Sequence, residues 1–64
     1  MDARYSVVRF HSEQPHASRV LYHNDSIKLA RYTLRAIMCG AGEGIELIDN
    51  HTGKIVATRG ERRS

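Results

Sequence analysis

Residues 25–42 read D-S-I-K-L-A-R-Y-T-L-R-A-I-M-C-G-A-G, the one segment of this chain long and periodic enough to specify an α-helix. At 100° per residue, Ile27, Ala30, Leu34, Ile37, Met38 and Ala41 fall on one side. Lys28, Arg31, Tyr32, Arg35 and Cys39 fall on the other. Asp25 is the expected N-cap, because its carboxylate can accept the unpaired amide hydrogens of the first turn. Gly40 and Gly42 are stop signals, since glycine closes a helix in the left-handed conformation without steric cost. A lone amphipathic helix of this length does not hold its shape in water, so its apolar stripe requires a sheet to cover.

Working outward, Y-S-V-V-R-F (residues 5–10) is rich in aromatic and β-branched residues and reads as a first strand. Alternation sets Ser6, Val8 and Phe10 on one face and Tyr5, Val7 and Arg9 on the other. The Val8 and Phe10 face is expected beneath the helix, which leaves Tyr5, Val7 and Arg9 on the open face. H-S-E-Q-P-H-A-S (residues 11–18) is polar, holds the only proline and reads as a loop. R-V-L-Y-H (residues 19–23) is a second strand. After the helix, G-A-G-E-G is a glycine-rich exit, G-I-E-L-I-D (residues 44–49) a third strand and K-I-V-A-T-R (residues 54–59) a fourth. The intervening D-N-H-T-G-K specifies a hairpin, with Asp49 or Asn50 opening the turn through its side chain and Gly53 in the left-handed position.

The order β-β-α-β-β implies an α+β domain, one helix on a mostly antiparallel four-stranded sheet. A right-handed crossover offers one topology in which the first and fourth strands lie side by side and parallel at the centre. Residues 1–64 are expected as a single small domain, with an ordered core over residues 5–59 and a flexible basic tail over residues 60–64.

Composition narrows the function classes. Ten Lys and Arg face seven Asp and Glu, for a net charge of +3. That aids approach to a polyanion or an acidic protein without requiring either. The single cysteine, Cys39, excludes an internal disulfide and fits a reducing compartment. M-D-A-R-Y-S-V-V lacks the apolar centre of a signal peptide, so a cytoplasmic location is expected. No apolar run approaches the roughly 20 residues of a membrane span, and no membrane partner is expected.

Two surfaces stand out as candidate sites. Lys28, Arg31 and Arg35 recur at i, i+3 and i+7 with Tyr32 beside them, the pattern of a phosphate-contacting ridge with an aromatic for stacking. Arg59, Arg62 and Arg63 add positive charge near the C-terminus. A solvated helix face built from good helix formers accounts for the same residues. The second surface is the sheet. One helix cannot cover the apolar residues of four strands, because they point to both faces. A contiguous apolar patch marks an association site, and edge strands can extend a sheet across two chains. A homodimer or another protein partner is therefore expected, through the face bearing Tyr5, Val7 and Arg9.

The remaining chemistry-bearing residues form no recognisable constellation. His11, His16, His23 and His51 lack metal-ligand spacing. Cys39 sits by the negative end of the helix, which disfavours a thiolate. G-A-G-E-G follows the helix, whereas a phosphate loop precedes one. Glu46 and Asp49 fall on opposite faces, so no acid pair forms. A domain this small is also expected to lack a pocket of about 300 Å³ or more. The expectation is a small non-enzymatic protein-interaction module that self-associates through its sheet and uses no cofactor or metal. The alternative is a nucleic-acid-binding protein using the basic helix face and the C-terminal arginines.

Overall fold

A computed structural model of the chain describes residues 3–62. Its elements are β1 (Tyr5–His11), β2 (Gln14–Asn24), α1 (Ile27–Ala36), β3 (Glu43–Asp49) and β4 (Lys54–Gly60). The four strands form one sheet in the order β2-β1-β3-β4, and every neighbouring pair is antiparallel. β2 and β3 thus run parallel on either side of β1, and α1 bridges across β1 to join them. β4 pairs with β3 at the edge, so the topology with β1 and β4 adjacent in the centre is not adopted. The physical reason lies in β1 and β3. Both are buried at successive positions (Val7 and Val8; Gly44 to Leu47), whereas Ile55 and Val56 of β4 are exposed, and strands buried on both faces belong in the middle of a sheet.

α1 starts one residue later than Asp25 capping would place it. Ser26 is the N-cap, its Oγ accepting from the Leu29 amide at 3.3 Å, while Asn24 Oδ1 accepts from the Ser26 amide at 2.8 Å. Asp25 instead accepts from the Arg4 amide at 2.9 Å, tying the helix start to the residue that leads into β1. The helix also ends at Ala36, short of the glycines. Ile37 is extended, with φ −70° and ψ 132°. Beyond that point the helical wheel no longer applies, which is why Met38 lies 86% exposed and Cys39 packs against the core.

The core beneath α1 consists of Val7, Ala30, Leu34, Ile45 and Leu47, with Tyr5, Tyr22, Ile37, Cys39 and Ala57 packed around it. Val7 lies opposite Leu47 and Tyr22, and Leu47 lies opposite Ala57, so one row of side chains crosses the sheet under the helix. The faces of β1 are therefore the reverse of the expectation. Tyr5, Val7 and Arg9 are on the helix side, and Val7 is fully buried. Apolar residues occur on both faces of β1, so its own alternation could not choose between them. The partners that align with Val7 make the choice.

Val8 and Phe10 are buried as well, on the face turned away from α1. Phe10 lies opposite Gly44, which in turn lies opposite Gly60. A Cβ at Gly44 would overlap both the Phe10 ring and the Glu61 carbonyl. The absent side chain is what lets the ring lie against the strand.

Two further departures concern segment boundaries. The expected loop over residues 11–18 is largely strand. His11 lies opposite Gln14, leaving Ser12 and Glu13 as a two-residue turn, and β2 runs on from there. An edge strand needs no apolar face, so its polar composition hides it. At the other end, Gly60 closes β4 and the Glu61 amide donates to the Glu43 carbonyl at 3.0 Å, so the basic tail does not begin at residue 60. Arg63 lies outside the described residues. Among the described residues, no helix is long and apolar enough to cross a membrane.

The β3–β4 hairpin follows its sequence signal. The Gly53 amide donates to the Asp49 carbonyl at 2.7 Å and Gly53 has φ +74°. Asp49 Oδ1 accepts from the His51 amide at 2.9 Å, and Oδ2 lies 3.5 Å from Arg4 Nη2. Burial pushes the Asp49 carboxyl up, but the His51 amide and the Arg4 guanidinium together outweigh it, and the net result is below the ordinary carboxylate value.

Leu34→Ala is expected to lower unfolding stability by about 2–5 kcal/mol in urea titrations, a large share of the roughly 3–10 kcal/mol typical of this chain length. The Asp49 carboxylate has a depressed folded-state pKa, so its stabilisation is complete above the ordinary carboxylate range and lost as pH falls through the folded value. The stability gap between wild type and Asp49→Asn should hold constant from neutrality to about pH 5 and close below about pH 4. A gap independent of pH down to acid unfolding would remove the carboxylate from that role.

Candidate functional site

α1 rises from the sheet with a bare basic face. Lys28, Arg31, Tyr32 and Arg35 are all exposed, and Tyr32 reaches 73% exposure. The helix sequence I-K-L-A-R-Y-T-L-R-A contains no carboxylate, and its first turn has no acidic residue. The ion pairs among the described residues are Arg4 with Asp49 and Arg9 with Glu43, so none of the three helix cations is neutralised by one. The structure thus brings these four residues together as the helical spacing implies.

It separates them from Arg59. That guanidinium reaches up from β4 to the end of the helix, where Nη1 donates to the carbonyls of Leu34 at 2.9 Å, Arg35 at 2.7 Å and Ile37 at 2.7 Å. The last carbonyls of a helix have no intrahelical partner and carry the negative end of its dipole. Arg59 satisfies both needs and is a helix cap, not part of the ridge.

Arg9 does the neighbouring job from β1. Its Nη2 donates to the Met38 carbonyl at 3.0 Å, and its buried Nε lies 3.6 Å from Glu43 Oε2. Glu43 Oε1 accepts from the Gly40 amide at 2.9 Å, which closes the link between sheet and helix exit. Arg9 and Arg59 both lie opposite Ile45, one on each side of β3. Arg9 is therefore structural and is removed from the expected interface, together with Val7 in the core and Tyr5 packed against it. The sequence could not show this, because a cross-strand row is set by register.

The open face of the sheet carries Val8, Phe10 and Ile48, with Val20 opposite Val8 and Ile55 opposite Ile48. Val20 and Ile55 are 56% and 51% exposed. Val20, Ile48 and Ile55 were recognisable as apolar strand residues in the sequence, but their grouping needed the register. Glu46 is nearly fully buried on the same face, between Val8 and Thr58. With Ile55, Thr58, Glu61 and Arg62 it lines an open concavity of about 330 Å³, larger than expected for so small a domain. Arg62 thus belongs to this face and not to the helix ridge.

Arg19 is a cation that motif reading passed over. It is exposed on β2 directly opposite Arg9, which places it on the helix side of the sheet. His11, His16, His23 and His51 are exposed. Among the described residues no group of three or more His, Cys, Asp and Glu is placed to hold a metal ion. Cys39 is half-buried and its thiol donates to the Glu43 carbonyl at 3.0 Å.

The assignment of Arg59 has a direct check. Arg59→Gln should cost about 1.5–3 kcal/mol, the range for hydrogen bonds to a charged group, and strip amide-exchange protection from the last turn of α1. Arg35→Gln, a surface change, should stay within about 0.5 kcal/mol. Equal effects of the two would refute the capping role. Comparison of the chain with protein-family models, with curated proteins and with solved structures finds no match.

Proposed function

We propose that this protein is a small non-enzymatic interaction module that self-associates by stacking the open faces of two sheets. The observation that carries the reading is the exposure of Val20 and Ile55 on the face turned away from α1, flanking half-buried Ile48, with no layer of the described chain packed over them. Sheets stacked about 10 Å apart would interdigitate these side chains and leave both helices outermost.

The alternative route through the sheet edges is less favourable. Pairing of β2 with β1 shifts register around Leu21, and pairing of β4 with β3 shifts around Val56. Irregularities of this kind are devices that discourage edge-to-edge pairing. A reducing cytoplasm suits the single Cys39 thiol and is the location we assign.

The mass in solution tests the reading. Light scattering after size exclusion should give the mass of two chains for the wild type and of one chain for Val20→Glu/Ile55→Glu, with the circular dichroism spectrum unchanged. Both positions are exposed in the single chain, so the double variant should fold. A monomeric wild type at high micromolar concentration, or a double variant that stays dimeric, would defeat the proposal.

A further inference from the structure

We propose that α1 binds single-stranded nucleic acid, with phosphates along Lys28, Arg31 and Arg35 and an unpaired base stacked on Tyr32. This surface is distinct from the open sheet face and would face outward whether or not two chains stack.

Four observations carry the inference. All four side chains are exposed on one side of the helix, and no carboxylate competes for the cations through an ion pair among the described residues. Of the acids on this side, Asp49 pairs with Arg4 and Glu43 with Arg9, and Asp25, just before the helix, accepts from the Arg4 amide. The C-terminal end of a helix ordinarily repels anions. Here the Arg59 guanidinium occupies the carbonyls of Leu34, Arg35 and Ile37, which offsets that negative end beside Arg35. Tyr32 is among the most exposed large side chains of the molecule, set in the middle of the cations and not at the core.

The geometry selects the ligand class. Seven residues separate Lys28 from Arg35, a rise of about 10 Å, enough for two or three phosphates of an extended strand. A tyrosine ring can stack only on a base that is not already paired, which favours single strands over duplex. With the three cations on phosphates and only a stacking ring for the base, recognition is expected to tolerate sequence. Exposed Arg19, on the same side of the sheet, adds attraction at longer range.

The test is fluorescence anisotropy with labelled oligo(U) and oligo(dT) of about 12 nucleotides, a duplex of equal length and poly-glutamate as competitors, across about 50–200 mM KCl. Three phosphate contacts predict a slope of log K against log salt of about −2 for single strands. Lys28→Gln/Arg31→Gln/Arg35→Gln should bind at least about ten-fold more weakly with a flattened slope. Tyr32→Ala should weaken binding about five-fold or more while leaving the slope unchanged. The same titration on Val20→Glu/Ile55→Glu separates this surface from self-association, and binding should persist there. Absence of saturable binding at the lowest salt would overturn the proposal. So would equal affinity for the duplex or for poly-glutamate, or a folded triple variant that binds like wild type.

Discussion

The end of a short helix is the constraint around which this molecule is arranged. α1 has ten residues, too few to be stable in isolation, and its final carbonyls face the sheet side of the molecule without intrahelical partners. Packing of Ala30 and Leu34 holds the middle of the helix to Val7, Ile45 and Leu47. The last turn is held by charge. Arg59 from β4 and Arg9 from β1 flank Ile45 in one cross-strand row and take the carbonyls of Leu34, Arg35, Ile37 and Met38 between them. An arginine fits this place better than a lysine, since its rigid fork can address several acceptors at once.

That arrangement explains why the helix stops where it does. Gly40 and Gly42 look like the natural terminators, and either would close a longer helix at low cost. The guanidinium of Arg59 meets the carbonyls about one turn before Gly40, and Ile37 leaves the helix in an extended conformation to reach the core. A long-range contact from β4 thus overrides a local stop signal. Gly42 is left to serve the turn into β3, with φ +77°.

Features governed by neighbours in the chain were legible from the sequence. The helix, β1, β3, β4, the second half of β2 and the Asp49 to Gly53 turn follow from periodicity and side-chain chemistry over a few residues, whereas the polar first half of β2 reads as a loop. Features governed by register were not. β1 presents Val7 to one face and Val8 to the other, and nothing within Y-S-V-V-R-F ranks them. Leu47, Tyr22 and Ala57 decide, because they align with Val7 beneath the helix. The basic ridge was legible because it lies within one helix. The roles of Arg9 and Arg59 were not, since each depends on a contact more than twenty residues away.

The same two arginines link the interior to the surface chemistry. Cations inside the fold consume the nearby acceptors: Arg9 engages Glu43, and Arg4 engages Asp49 at the opposite end of the sheet. The carboxylates on the helix side are therefore occupied by residues of the framework, and Lys28, Arg31 and Arg35 remain uncompensated above them. On the other face the balance differs, for Glu46 and Glu61 lie beside Ile55, and apolar side chains dominate the rest. The three ridge cations thus lie on the α1 side of the sheet, and Val20 and Ile55 are exposed on the other. The two proposed contacts, with a copy of the chain on one side and a polyanion on the other, therefore use different surfaces. Screening at physiological salt confines each charge to within about 8 Å, so the two surfaces would also act with little electrostatic cross-talk.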